Sequence, residues 1–160
     1  MVLLASTALA SSGQIVRADG RIGTFTVDVT TEAQVRAQLG APAKVRKEEC
    51  AAKSTCGHTL EYLCGTRCFT DYSFNDATGR LSDFLTRSPD FRTVHGSHAG
   101  MSAAAAASRE HKRIDPACGF DHEIRLRSDR THLFVLAVSG KTVYAIAYLG
   151  PHSVYYDGLC

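Results

Sequence analysis

The sequence lacks several features that would narrow its function at once. It has no apolar segment long enough to cross a bilayer, no long run of like charge and no glycine loop of the phosphate-binding kind. Charged residues make up 21% of the chain, and the formal net charge is +2 with neutral histidines. The charge balance therefore gives no reason to expect nucleic acid or an anionic membrane surface as a partner.

A recognisable catalytic motif is also missing. The segment GSHAG at 96–100 is not a nucleophile elbow, because its serine stands one place too early. His95 and His98 in the segment HGSH could form a metal or hydrolase site with an acidic partner. The candidates for additional groups are Asp90, His122 and Glu123. The alternative is an ordinary surface loop before a helix cap, so we expect no cofactor and no metal.

The first residues suggest export. Val2 to Ala10 is a short apolar run, and Ala8-Leu9-Ala10 has the small-x-small form of a signal-peptidase site. The basic region that precedes such a run is missing, since Arg17 is the first positive charge. Residues 1–19 are therefore interpreted either as the remnant of a signal peptide or as a flexible tail.

Cysteine usage favours the same location. An even number of cysteines in an exported chain suggests disulfide bonds, and spacing alone cannot assign the pairs. A weaker hypothesis pairs the isolated Cys118 with Cys160. Zinc binding with His58 nearby is the alternative, although only Cys64 and Cys68 have the tight spacing of a structural zinc site. The six candidates are Cys50, Cys56, Cys64, Cys68, Cys118 and Cys160.

Two helices are predicted. In the first, Thr31 and Gln34 form a capping box, and Val35 and Leu39 share a face. Gly40 and Pro42 end this helix. Ser102 can cap a second helix that contains the alanine run 103–107 and should end at Asp115-Pro116.

Strands are predicted at 69–74 and 80–86, separated by a turn at 75–79, with a connector at 87–100. Three more strands follow at 122–128, 131–139 and 142–150. Simple alternation assigns two faces to these three strands. One face collects Ile124, Leu126, Leu133, Val135, Ala137, Tyr144, Ile146 and Tyr148. The other collects His132, Phe134, Leu136, Val143 and Ala145, beside Glu123, Arg125 and Arg127.

That second face predicts a protein contact, because an apolar patch rimmed by polar groups often marks one. The alternative is that another part of the chain covers it, since strands that are apolar on both faces usually lie inside a structure. The candidate binding residues are Phe134, Leu136, Val143, Arg125, Arg127 and His132.

The elements predict an α+β fold of two related helix-plus-antiparallel-sheet repeats braced by disulfides. The first repeat, with a cysteine-rich insert, occupies 20–90 and the second occupies 91–160.

Three segments carry a resemblance to known families: TEAQVRAQLGAP at 31–42, YSFNDATGRL at 72–81 and GSHAGMS at 96–102. They resemble the tandem α+β repeats of SmpA/OmlA-type envelope proteins and of the secreted β-lactamase inhibitory proteins of bacteria. The chain departs from the first family because no cysteine precedes Cys50, which argues against a lipid anchor. It departs from the second because it has no tryptophan. The resemblance implies an exported, non-catalytic module that binds a protein.

Together these observations predict an extracytoplasmic protein-binding module, secreted or periplasmic, whose protein partner is unidentified. The alternative is a small secreted hydrolase that uses His95 and His98 with an acidic partner.

Overall fold

Two short helices begin where the sequence provides a side-chain cap. In the computed structural model, which describes residues 13–47, 57–117 and 120–150, helix α1 spans Glu32–Leu39 and helix α2 spans Ala103–Glu110. The predicted capping box of Thr31 and Gln34 is present, and Gly40 follows α1 with a φ of 80°. Ser102 caps α2 as predicted. This helix ends earlier than expected, because His111 turns into the left-handed region with a φ of 54°.

About half of the described residues form strands. None of the helices among the described residues is long and apolar enough to span a membrane. The twelve strands are β1 Gln14–Val16, β2 Arg21–Ile22, β3 Phe25–Thr26, β4 Lys44–Lys47, β5 Gly57–Gly65, β6 Cys68–Asn75, β7 Arg80–Thr86, β8 Phe91–Thr93, β9 Asp115–Pro116, β10 His122–Ser128, β11 Leu133–Ser139 and β12 Thr142–Leu149.

The strands form one large and one small sheet. The large sheet has eight antiparallel strands in the order β4-β5-β6-β7-β12-β11-β10-β9. The small sheet has four strands in the order β3-β2-β1-β8, and its β1–β8 pair is parallel. The predicted strands at 69–74, 80–86, 122–128, 131–139 and 142–150 are therefore confirmed, with small differences at their ends. The connector predicted at 87–100 contains β8.

The main core lies between the large sheet and the layer formed by the small sheet and both helices. Phe25 of the small sheet meets Tyr72 of the large sheet edge-on, at 5.5 Å between ring centroids. Phe84 and Phe91 form a similar contact at 5.2 Å. The helices contribute Val35 and small alanines to this core. Because alanine side chains are small, they let α2 lie close to the sheet.

Alternation alone assigned several faces wrongly in the second half of the sheet, although Phe134, Leu136 and Val143 do share one face. The register shifts between Arg125 and Arg127 in β10, and again in β12, where Ala137 pairs with Ala145 but Val138 pairs with Val143. Each β-bulge inserts a residue into the alternation, so side chains beyond it change faces. A second, smaller apolar cluster lies on the opposite face of the sheet. It consists of Leu85, Val135, Ala137, Ala145, Ala147 and Leu149, with Phe69, Phe120, Leu133 and Tyr144 packed around it.

The predicted α+β architecture of two disulfide-braced repeats is wrong. The described residues are predominantly β, with two helices of eight residues each. Strands from both parts of the chain join one continuous sheet where β7 pairs with β12, and β8 crosses back to pair with β1. The disulfide among the described residues links Cys64 to Cys68 within the β5–β6 hairpin, so it braces a turn rather than two units. The proposed boundaries at 1–19, 20–90 and 91–160 stay a prediction.

One histidine ties α1 to the edge of the large sheet. The Nε2 atom of His58 lies 2.9 Å from Glu32, and its Nδ1 atom lies 2.7 Å from Asp76 in the β6–β7 turn. Partial burial disfavours the imidazolium, but the hydrogen bonds to Asp76 and Glu32 outweigh it and raise the pKa of His58. The pKa of Glu32 is lowered: burial opposes the shift, and Arg36 and His58 more than offset it. This contact is an ion pair in slightly acidic solution.

We therefore expect His58→Gln to remove stability in a pH-dependent way. The pKa of His58 in the folded state lies above the ordinary histidine value of 6.5, so the stabilisation is fully present below pH 6.5. It is lost as the pH rises through the folded pKa. The pair should contribute about 0.5–1 kcal/mol. Urea unfolding of both proteins from about pH 5 to pH 9 measures the difference, which should shrink with rising pH. His95→Gln, at an exposed site, is the control, and a pH-independent difference would contradict the ion pair.

A second prediction concerns Phe134, which is 3% exposed and belongs to the main core. Phe134→Ala should lower the free energy of unfolding by about 3–5 kcal/mol, because it leaves a cavity among packed side chains. Val45→Ala, at a position 51% exposed, should change it by less than about 0.5 kcal/mol. Denaturant titration distinguishes the two, and a small loss at Phe134 would mean that it is not a core residue.

Candidate functional site

A cleft of about 500 Å³ opens at one end of the large sheet. Five parts of the chain form its walls: the β5–β6 turn, the segment after β7, the segment before α2, the β11–β12 turn and the start of β12. Its lining combines two arginines, three residues that carry a hydroxyl group and several apolar residues. The lining residues are Arg67, Arg87, Pro89, Ala99, Gly100, Ser139, Thr142, Val143 and Tyr144.

Strand pairing places Arg87 at the centre of this site. Thr86 pairs with Thr70 on β6 and with Ile146 on β12, so the next residue emerges between these two strands. The backbone N–H of Arg87 donates to the carbonyl of Phe69 at 2.9 Å. The guanidinium lies over the ring of Tyr144, 4.1 Å from its centroid, and 5.7 Å from the centroid of Phe69. Two aromatic rings therefore hold this cation.

Arg67 reaches the cleft from the turn between β5 and β6. The disulfide between Cys64 and Cys68 closes this hairpin, with the two Cα atoms 5.1 Å apart. Arg67 has a φ of 60°, in the left-handed region that favours glycine. The disulfide holds the turn compact, and the side chain of Arg67 is exposed beside the cleft.

The cleft is electrostatically uneven. Within the described part of the chain, neither Arg67 nor Arg87 forms an ion pair, and no acidic residue lines the cleft. A carboxylate does lie nearby. Asp121 accepts hydrogen bonds from the backbone of Gly140 and from the hydroxyl of Ser139, and these two contacts lower its pKa. The lining of the cleft therefore contains two cationic residues, and a fixed negative charge lies beside Ser139.

The predicted binding patch is not an exposed surface. Phe134, Leu136 and Val143 are 3%, 0% and 1% exposed, because the face that they share is the one that packs into the main core. The polar candidates are engaged separately. Arg125 pairs with Glu123, Arg127 with Asp129, and His132 with Asp28. The alternative interpretation, in which other parts of the chain cover this face, agrees with their burial.

In the described part of the chain, no acidic partner lies beside His95 or His98, the pair named in the hydrolase hypothesis. His95 is exposed, and the Nδ1 atom of His98 contacts the carbonyl of Ala99 at 2.9 Å. Among the described residues, neither imidazole contacts a carboxylate, and Glu123 is paired with Arg125 instead. In the described ranges, no three His, Cys, Asp or Glu side chains lie close enough together to hold a metal ion.

Of the disulfide candidates, Cys64 and Cys68 are bonded to each other. These two sulfurs are therefore not thiolate ligands for zinc. Cys50, Cys56, Cys118 and Cys160 lie outside the described residues, as do the cleavage-site residues near the N-terminus.

Sequence reasoning missed the three central residues of the cleft. Arg67, Arg87 and Tyr144 are separated by 20 residues or more along the chain, and none belongs to a short motif. The signal that could have pointed to Arg67 is the segment CGTRC, in which closely spaced cysteines enclose a tight turn.

Comparison with known proteins shows a similar fold but no family. No family model matches the chain, and no curated protein matches it. Among solved structures, the chain is similar to an extracellular protein containing an SCP domain from Bacillus anthracis str. Ames, with a TM-score of 0.50 and 7% sequence identity. The match covers 74% of this chain and 42% of that one, so this chain spans about two-fifths of its length. At this identity the likeness concerns the fold alone. The resemblance to SmpA/OmlA-type proteins and β-lactamase inhibitory proteins stays a prediction.

The hairpin disulfide gives a testable expectation. Replacing both Cys64 and Cys68 by serine opens a loop with a sequence separation of 4. The chain-entropy model then predicts a loss of about 2 kcal/mol in the free energy of unfolding. Urea unfolding of the oxidised proteins measures this loss. Adding a thiol reductant to the double variant tests whether the effect is specific to this bond. An unchanged stability would mean that the hairpin is held by its strand pairing alone.

Proposed function

We propose that this chain is an extracytoplasmic, non-catalytic module that binds a protein through the cleft of Arg67, Arg87 and Tyr144. The observation that carries the proposal is the guanidinium of Arg87, which rests on Tyr144 at the cleft with no carboxylate partner in the described chain. Arginine and tyrosine are enriched at the energetic centres of protein interfaces. The ring of Phe69 is a second aromatic contact of this guanidinium.

An extracytoplasmic location is supported by the disulfide in the β5–β6 hairpin. Such bonds persist in oxidising compartments and are rare in the cytosol. The structurally similar protein is described as extracellular, which agrees with this location. The hydrolase alternative has no comparable support, since the described residues bring no acidic group to His95 or His98.

Site-specific cross-linking in cells that export the chain tests this proposal. A photoreactive phenylalanine analogue at Thr142, inside the cleft, should cross-link to one discrete protein. The same analogue at Thr78, in the exposed β6–β7 turn, should not. The adduct is identified by mass spectrometry, and its protein is then purified. Arg87→Ala should weaken its affinity by about tenfold or more, as truncation of an interface anchor does.

Two results would contradict the proposal. One is equal cross-linking at Thr142 and Thr78, which indicates diffuse contact. The other is an unchanged affinity for the purified partner in a folded Arg87→Ala variant. Circular dichroism and urea unfolding establish that the variant is folded.

A further inference from the structure

Arg87 is the exception among the half-buried arginines. Four arginines in the described ranges are half-buried: Arg36, Arg46, Arg87 and Arg127. Arg36 pairs with Glu32, Arg46 with Glu61 and Asp71, and Arg127 with Asp129. A partly desolvated guanidinium normally recruits such a counterion, because burial of an unpaired charge is unfavourable. Among residues 13–47, 57–117 and 120–150, the guanidinium of Arg87 contacts the faces of two aromatic rings instead.

Stacking leaves the hydrogen-bonding capacity of this group unused. A guanidinium carries five N–H donors around its planar edge, and contact between its face and a ring does not engage them. Arg67 brings a second guanidinium to the same cleft. We infer that the cleft binds a carboxylate side chain of an acidic peptide segment between Arg67 and Arg87. This inference rests on the proposed function and names the chemical class of the contact.

The dimensions and walls of the cleft favour a peptide over a free anion. A volume of about 500 Å³ is several times that of a carboxylate or phosphate group. Pro89 and Tyr144 offer apolar contact beside the two cations, while Thr142 offers a hydroxyl group. A short peptide can place its acidic group on the arginines and its neighbouring atoms on these walls.

Asp121 adds a negative charge beside the cleft. Its carboxylate accepts hydrogen bonds from the hydroxyl of Ser139, which lines the cleft, and from the backbone of Gly140. A second negative group on the ligand would be repelled there, so the acidic group should lie beside the arginines.

A labelled tetraglutamate peptide tests the inference, with the tetraglutamine peptide as the neutral control. Fluorescence anisotropy should show binding of the acidic peptide that weakens as salt is raised, and much weaker binding of the neutral one. Arg87→Ala and Arg67→Gly should each reduce the affinity by about tenfold, the range of a hydrogen-bonded charge pair. Arg130→Ala removes the same charge from an exposed site outside the cleft and should change the affinity by less than about twofold.

Arg67→Gly also guards against a failure to fold. Glycine adopts a positive φ without steric cost, so this variant should be as stable as the original or more stable in urea. Loss of peptide binding with unchanged or increased stability then assigns the effect to the side chain.

Three results would overturn the inference. They are equal binding of both peptides, an equal loss in Arg130→Ala, and displacement of the peptide by inorganic phosphate at concentrations equal to the peptide's own dissociation constant. The last would indicate a site for small anions.

These outcomes can be distinguished from those of the cross-linking experiment. If tetraglutamate does not bind but Thr142 still cross-links to one protein, the ligand class is wrong and the proposed function stands. If tetraglutamate binds but no cross-link forms, protein binding fails instead.

Discussion

The pairing of β7 with β12 is the constraint on which the rest of this structure depends. It involves only the pairs Phe84–Tyr148, Leu85–Ala147 and Thr86–Ile146. Without it the large sheet would divide into two four-stranded sheets, each with exposed edges. With it, both junction strands are central and bury side chains on both faces. One face contributes Phe84 and Tyr148 to the main core, and the other contributes Leu85 and Ala147 to the second cluster. The same pairing brings Arg87 beside Tyr144, so the architecture and the candidate site have one origin.

Local features of the fold could be predicted from the sequence because neighbouring residues determine them. The capping box of Thr31 and Gln34 acts within one helical turn, and Asn75 and Gly79 form their turn by local hydrogen bonds. Strand β7 follows from the same turn, because it is the return strand of the β6–β7 hairpin. Strands β1, β2 and β3 could not be predicted in this way. Each has two or three residues, too few for a period, and each is stabilised by partners elsewhere in the chain.

The faces of the strands and the candidate site depend on information that the sequence pattern does not carry. A bulge at Tyr144 in β12 changes the alternation by one residue, so that Ala145 joins the second cluster and Ile146 joins the main core, and nothing in TVYAIAYL marks its position. Phe134 was grouped correctly with Leu136 and Val143, but the pattern does not show that the small sheet and the helices cover this face. The cleft presents the converse problem. Arg87 sits in a segment that reads as a connector, and its relation to Tyr144 exists only through the strand order.

Arg67 has a backbone conformation that is unfavourable for the fold, while its side chain belongs to the candidate site. Glycines occupy the left-handed positions in other turns, such as Gly79 and Gly140, where the backbone alone has to be satisfied. Arg67 adopts the same region at a cost of about 1–2 kcal/mol. Its side chain makes no ion pair that would offset this cost among the described residues. The disulfide between Cys64 and Cys68 limits the alternatives open to the turn, so the unfavourable backbone can persist. The guanidinium in the lining of the cleft is then the property that distinguishes arginine from glycine at this position, and the proposed binding function uses it.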